Sequence, residues 1–385
     1  MKIVYVYPHF VDLAGTERVM IDKMNYLAEF YGYEVYMLTN EQGNHPISFS
    51  LYPTVKHIDL NVRFTHLYKK SRVVRILKWG YYNKLLRKKC NDLMKELNPD
   101  VVVASTYHSN YISIIGDCSL PYVRILESHI HKRFILTNDP LNQKSFLRWL
   151  HTLYMMNVIH RKARKFDLLV ALEQGDADDW EKYIKTIVIP NVVHLNPTGK
   201  YSDHSSKQVI FVGRYTEQKG IFDLFDIWKL VYQKYPDWHL NLYGDGHLRE
   251  QLLSEAERLK INIHVHKPDP QIFDRYLDHS VLLLTSTYEP FGLVMPEAMS
   301  CGLPVVAFDC PYGPAGIITD GIDGFLIPNR DKVLFAEKVC AFIESPDLCN
   351  RMGKAAIQSS QRFSSEKVMP IWKDLLEGLV KSSQA

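Results

Sequence analysis

Two glutamates close the string Glu289-Pro-Phe-Gly-Leu-Val-Met-Pro-Glu297 at either end. The apolar run 281–284 before it reads as a buried strand. After it, Glu297-Ala-Met-Ser-Cys-Gly302 reads as a short helix stopped by Gly302 and Pro304. Glu289 is therefore expected at the carboxyl end of a strand and Glu297 in the first turn of the next helix. The amides of Phe291, Gly292 and Leu293 fall at that helix N-terminus, where free N–H groups and the dipole favour phosphate or another anion. Carboxylates beside such a place can grip sugar or ribose hydroxyls.

Arg214 and Lys219 lie between an expected strand, 209–212, and a helix. Two cations at a helix start oppose its dipole, which speaks against a purely structural role. They suit a diphosphate that gains charge as a bond to it breaks, and stabilising developing charge is usually the dominant catalytic term. Arginine offers a planar fork to phosphate oxygens, and lysine a point charge. Gly244-Asp-Gly246 follows the strand 239–243, and His266-Lys267 follows the strand 263–265.

The first half holds fewer such residues. A strand at 3–7, a loop from His9 to Gly15, a helix with Met20, Met24, Leu27 and Tyr31 on one face, and a strand at 34–38 argue for a parallel sheet. The dinucleotide fingerprint G-x-G-x-x-G is absent from the loop Pro8-His-Phe-Val-Asp-Leu-Ala-Gly15. Further strands fall at 100–105, 122–126, 167–172 and 187–189. His129 stands just past one of them, in Glu127-Ser-His129-Ile-His131, where open α/β sheets take ligands. Asp176 and Asp178 invite a metal reading, but acids in the first turn of a helix are expected from the dipole alone.

At 385 residues and 46% hydrophobic content the chain has room for two full cores. A formal charge of +3 gives no argument for nucleic acid. The six cysteines form no CxxC pair and no zinc spacing, so reduced thiols and a cytoplasmic setting are expected. No run of 18 apolar residues occurs. The polar stretch 194–207 reads as a linker. The stretch 63–95 carries eleven Lys/Arg and one acid, Asp92, interleaved with Phe64, Tyr68, Ile76, Leu77, Trp79, Tyr81, Tyr82, Leu85 and Leu86. Such a mixture is either a basic helix face over a sheet or a peripheral contact with anionic lipid. A second basic helical stretch runs over 144–165.

Several of these strings resemble one family. Gly213-Arg214…Lys219-Gly220, Gly244-Asp-Gly246, Glu289-x7-Glu297-Ala-Met, Cys301-Gly-Leu-Pro-Val-Val and Gly321-x-x-Gly324-Phe-Leu-Ile-Pro are similar to the donor half of retaining GT-B glycosyltransferases of family 4. Gly15-Thr-Glu-Arg18, Asn98-Pro-Asp-Val-Val and Ile189-Pro-Asn191 are similar to their first half, and within the family the chain looks closest to capsule and exopolysaccharide transferases. The resemblance implies an α/β GT-B fold of two Rossmann-like, doubly wound domains facing each other across a cleft. It places an acceptor-side domain over 1–195, a linker over 196–207, a nucleotide-sugar domain over 208–363, and a C-terminal helix over 364–385 packing back toward the first domain.

By the same resemblance Arg214 and Lys219 bind the donor diphosphate, Glu297 holds ribose hydroxyls, and Glu289 faces the transferred sugar. Phe291, Gly292 and Leu293 offer amides to sugar hydroxyls or phosphate. Gly15 and Gly244 border the donor, His266 and Lys267 line the base pocket, and His129 stands near the reacting centre and acceptor. The donor is a nucleotide sugar, most simply a UDP-sugar, and the acceptor a polyprenyl-diphosphate-linked glycan on the inner face of a membrane. No metal and no cofactor is implied. Three positions depart from the pattern. Ala14 replaces a glycine. Glu127-Ser128-His129 replaces Ser-Glu-His, which leaves open which carboxylate supports the histidine. Glu173 replaces a Thr or Ser. Two other functions fit the same motifs: a nucleotide-sugar epimerase, which needs no acceptor, and a non-catalytic sugar-nucleotide-binding scaffold.

Overall fold

The computed structural model describes residues 1–12, 14–68, 70–106, 109–129 and 146–384. His131, named above, lies outside the described residues, as do residue 69 of the first basic stretch and residues 144–145 of the second; the side chain of Ile76 lies outside them too. The chain divides into two units, Met1–Val192 with Met369–Ala385, and Val193–Val368.

The first unit is built on a parallel sheet of β1 (Lys2–Val6), β2 (Glu34–Thr39), β3 (Lys56–Asp59), β4 (Val101–Ser105), β5 (Val123–Glu127), β6 (Leu168–Ala171) and β7 (Thr186–Val188). Their order is β3-β2-β1-β4-β5-β6-β7. Ile3 pairs with Val35 on one side and Val101 on the other, so the order reverses at β1. Every residue of β4 and β6 is buried, as the unbroken apolar runs of a parallel sheet covered on both faces require. The helix Gly15–Tyr31 opens directly after the β1 loop and stops at Gly32, which takes the left-handed conformation.

The second unit repeats the plan with β8 (Gln208–Val212), β9 (His239–Tyr243), β10 (Ile263–His266), β11 (Val281–Leu284), β12 (Val305–Phe308) and β13 (Gly324–Ile327). The order is β10-β9-β8-β11-β12-β13, all parallel, with the reversal between β8 and β11. The polar stretch 196–207 lies against this unit. Ser202 donates its backbone N–H to Cys301 O at 2.9 Å and its hydroxyl to His279 O at 2.6 Å.

The helix Ser365–Gln384 ends the chain, and its part from Met369 on belongs to the first unit. There Tyr33 donates its hydroxyl to Glu377 at 2.8 Å, and the Trp372 ring lies under the Lys23 ammonium at 4.1 Å.

The basic stretch forms the helices Thr65–Tyr68 and Arg72–Leu97. Its apolar residues divide between two environments. Phe64 and Leu86 are core, and Trp79, Tyr82 and Leu85 pack against it. Tyr68, Leu77 and Tyr81 are exposed. The interleaving seen in the sequence thus mixes one inward helix face with one outward face. Among the described residues no helix is long and apolar enough to cross a membrane.

Candidate functional site

The loop after β8 and the loop after β11 meet at the strand-order reversal of the second unit, the place where doubly wound sheets leave a crevice for ligands. Several hydrogen bonds join them. Thr287 N–H donates to Gln218 O at 2.8 Å, the Gln218 amide donates to Tyr288 O at 2.9 Å, and the Thr285 hydroxyl donates to Lys219 O at 3.1 Å. Gly220 is left-handed at φ 61°, and a Cβ there would overlap the Thr285 carbonyl, so only glycine lets the loops come this close. The result is an ion pair between Lys219 Nζ and Glu289 Oε2, with the Ser286 hydroxyl donating to the same oxygen at 3.2 Å. Glu289 is 6% exposed. Its backbone is held too: its N–H donates to Pro311 O at 2.8 Å, and its carbonyl accepts from Tyr312 and Gly313 at 2.9 and 2.8 Å. Arg214, on the same loop as Lys219, is exposed, and its guanidinium has no hydrogen bond or ion pair among the described residues. One cation is therefore locked to a carboxylate and the other is free to meet an anion.

The helix following Glu289 is Val294–Ser300, which starts three residues before the expected Glu297. Glu297 lies in its first turn, is 7% exposed, and accepts from the Tyr276 hydroxyl at 3.4 Å. Gly292 has φ 91°, and a Cβ on it would stand 2.6 Å from Met295 Cε and 2.9 Å from Glu289 Cγ, so this glycine sets the path of the loop around Glu289. Among the described residues the amides of Phe291, Gly292 and Leu293 donate no backbone hydrogen bond. Phe291 is buried, its ring edge-on to Phe363 at 5.4 Å. Gly244 packs against the Gly213 carbonyl, which makes it a contact between the loops after β8 and β9. His266 ends β10, stacks on Tyr243 at 4.7 Å and bonds Asn241 through Nε2 at 3.1 Å. Burial, with the neighbouring His264 and Arg275 adding, lowers its pKa. Lys267 is exposed.

In the first unit Gly15 is the first residue of its helix, after the β1 loop and Ala14. His129 follows β5 and is buried. Its Nε2 lies 2.9 Å from Glu127 Oε2, and the other Glu127 oxygen is paired with Lys23 Nζ at 2.6 Å. The question left by the altered Glu-Ser-His order is answered by geometry: Glu127 supports the histidine. Burial works against ionisation of Glu127, yet Lys23 and His129 outweigh it and hold the carboxyl down at about 2. Among the described residues Lys23 pairs with this one carboxylate, and burial pulls its pKa down in spite of that partner. An ionised carboxylate only accepts, so Nε2 carries a proton and donates it to Glu127. Sequence reasoning misses Lys23. The available signal is its place three residues after Met20 and four before Leu27, on the apolar helix face.

Of the acids after β6, Asp176 lies in the first turn of the helix Gln174–Trp180, as expected, and Asp178 is exposed. Asp176 is buried with Oδ1 unpartnered, and Trp180 Nε1 donates to Ser128 Oγ at 3.2 Å beside it. Burial first, then Asp179 and Glu173, push its carboxyl up to about 7 against hydrogen bonds to Ser128 and Trp180. Its folded pKa thus exceeds the unfolded value of about 3.9. Stability from this group is fully present below that value and lost as pH rises through about 7. Each tenfold change in proton affinity is worth about 1.4 kcal/mol. Asp176→Asn is expected to raise the thermal midpoint at pH 8 and leave it nearly unchanged near pH 4. A midpoint lowered equally at both pH values would mean that the carboxyl serves as an ordinary acceptor. Among the described residues no group of three or more His, Cys, Asp or Glu is placed to hold a metal ion.

Comparison with known proteins gives similarities over both units. Residues 198–359 match the family model of group 1 glycosyl transferases. An uncharacterized glycosyltransferase of Haemophilus influenzae is 27% identical over 380 residues, covering 97% of this chain and 99% of that one. The amylovoran biosynthesis glycosyltransferase AmsD of Erwinia amylovora is 33% identical over 188 residues, 48% of this chain and 52% of that one. A structure of S. aureus TarM in complex with fondaparinux, alpha-GlcNAc-glycerol and UDP superposes with a TM-score of 0.76 at 16% identity, covering 97% of this chain and 99% of that one. The two Rossmann-like units are those expected of the GT-B architecture. The second unit is thus similar to the group 1 glycosyl transferases, and the chain as a whole to a glycosyltransferase.

Proposed function

We propose that the chain is a retaining, metal-independent glycosyltransferase of family 4 that moves a sugar from a UDP-sugar to a polyprenyl-diphosphate-linked glycan during surface polysaccharide synthesis. The observation that carries this reading is the Lys219–Glu289 pair at the β8/β11 reversal, with Arg214 free beside it. UDP in the TarM complex and the amylovoran role in the name of AmsD support the donor and the product class.

The chemistry follows from the charges. Arg214 and Lys219 receive the diphosphate and absorb the negative charge that grows on it as the glycosyl bond lengthens. The acceptor hydroxyl attacks from the face the diphosphate leaves, and its proton passes to the departing phosphate oxygen. The anomeric configuration is retained without a covalent enzyme intermediate. Glu289 holds the sugar hydroxyls, its charge balanced by Lys219. Glu297 takes the ribose, and His129 orients the acceptor through Nδ1. The exposed part of 63–95 meets the anionic membrane that presents the lipid-linked acceptor, with the protein on the cytoplasmic side.

The test is a screen of UDP-sugars against short lipid-linked acceptors, with the product linkage read by NMR and the assay repeated in EDTA. Retention and unchanged rates in EDTA are expected. An inverted linkage removes the same-face mechanism, and an epimerised nucleotide sugar formed without acceptor removes the acceptor. Glu297→Ala is expected to raise the donor KM by about tenfold, the order of one lost charge-assisted hydrogen bond. Glu289→Ala is expected to act mainly on kcat. Equal effects confined to donor affinity would undo that division.

A further inference from the structure

The first unit holds a cavity of about 310 Å³ lined by Asn83, Lys84, Arg87, Ser113, Ile114 and Lys162. Three helices form it: Arg72–Leu97, Ser109–Gly116 and Phe146–Ala163. Its lining is rich in donors and cations. Arg87 shares the single carboxylate of Asp117, at 2.9 Å, with Lys165. Among the described residues Lys162 bonds only the neutral Ser113 hydroxyl, and burial, with Arg87 and Lys165 adding, lowers its pKa against the pull of Asp117. Lys84 is exposed at the rim. The lining thus carries three cations, Lys84, Arg87 and Lys162, and no carboxylate, a balance that an external anion would complete. Phosphate fits: it is acceptor-rich, multiply charged and small enough for the volume.

The same helices carry exposed apolar residues. Leu77 and Tyr81 stand out from the first, and Phe146, Trp149, Leu150 and Tyr154 from the third. Exposed aromatic and aliphatic side chains on the helices that form a cationic pocket match a headgroup layer above acyl chains. A soluble phosphate would gain nothing from them.

We propose that the cavity between these helices seats the phosphate of an anionic membrane lipid, with the exposed apolar residues of the same helices entering the interface. The inference rests on the reading that this unit meets a membrane, and sharpens it from diffuse attraction to a defined site.

Co-sedimentation with vesicles of phosphatidylcholine, with and without phosphatidylglycerol, tests it. Each lysine near an anionic surface contributes about 1 kcal/mol, roughly fivefold in partition, whatever its position. Lys84→Gln/Lys162→Gln is therefore compared with Lys88→Gln/Lys95→Gln, which removes the same charge from the helix Arg72–Leu97 outside the cavity. The cavity variant is expected to lose at least about tenfold more partition than the control. A second variant, Ser113→Asp, puts a protein anion beside Lys162. It is expected to lower partition by the same factor without lowering the thermal midpoint. Equal losses in cavity and control variants would leave membrane contact standing and overturn the site. Absence of vesicle binding by the wild type overturns both. Inorganic phosphate is the second probe: if the cavity variants lose its binding while their vesicle partition stays normal, the ligand is a soluble phosphate and the lipid assignment fails.

Discussion

Lys219→Ala is expected to lower kcat/KM for sugar transfer by about 10²–10³-fold, the usual loss when one preorganised stabiliser of developing charge is removed. Two effects combine in that number. The leaving diphosphate loses a cation, and Glu289 loses the partner that balances it in a buried position. A double variant separates them. If the damage came only from an unpaired Glu289, then Lys219→Ala/Glu289→Gln would recover activity over the single variant. The proposed chemistry expects no recovery, because both groups act on the donor. Lys219→Arg keeps the charge but replaces a compact ammonium with a planar fork, and partial activity is expected. Unchanged UDP affinity together with unchanged turnover in Lys219→Ala would remove the phosphate site from this loop.

Glu127→Gln is expected to destabilise the protein by about 3–5 kcal/mol, because it leaves the Lys23 ammonium buried without a carboxylate. Removing both charges, as in Lys23→Met/Glu127→Gln, is expected to restore most of that loss, and thermal unfolding of the three variants checks it. The sign with pH follows from the depressed carboxyl. Its folded value, about 2, lies below the unfolded value of about 4.3. Its stabilisation is thus complete above the unfolded value and disappears as pH falls through about 2. The wild type should lose stability steeply over that acid range and the double variant less so. Parallel acid limbs would mean that Glu127 is not held ionised. Transfer activity at neutral pH should fall in Glu127→Gln as well, since the His129 ring loses the charged acceptor that holds its Nε2 proton.

The strands are legible because parallel sheets leave unbroken apolar runs, and most fall within a residue or two of their expected place. The Glu289 and Glu297 positions follow from the strand before them and the Gly302-Pro304 stop after them. What one dimension hides is pairing. Lys219 and Glu289 stand seventy residues apart, and they meet because β8 and β11 are neighbours although β9 and β10 come between them in the chain. Lys23 and Glu127 are likewise distant in the chain and meet through packing, one on the helix after β1 and the other at the end of β5. The basic stretch misleads in another way. Its apolar residues look like one population in the sequence, yet Phe64 and Leu86 face the core while Leu77 and Tyr81 face outward. In a polar, lysine-rich helix the two faces are hard to tell apart by composition alone. Asp176 shows that residue type does not report burial.

The placement of Trp372 over Lys23 bears on how such proteins can be recombined. Lys23 sits near the start of the chain, and the ring that covers its charge arrives on the final helix, after the whole second unit has been made. A ring over a cation is worth about 0.5–2 kcal/mol. A chimaera that takes residues 1–192 from this chain and everything after them from a relative would bring a foreign tail to that lysine. Exchange of the first unit between relatives therefore has to carry two separate stretches of gene. A single-crossover library should be enriched, among its soluble members, in chimaeras whose last helix preserves an aromatic at position 372.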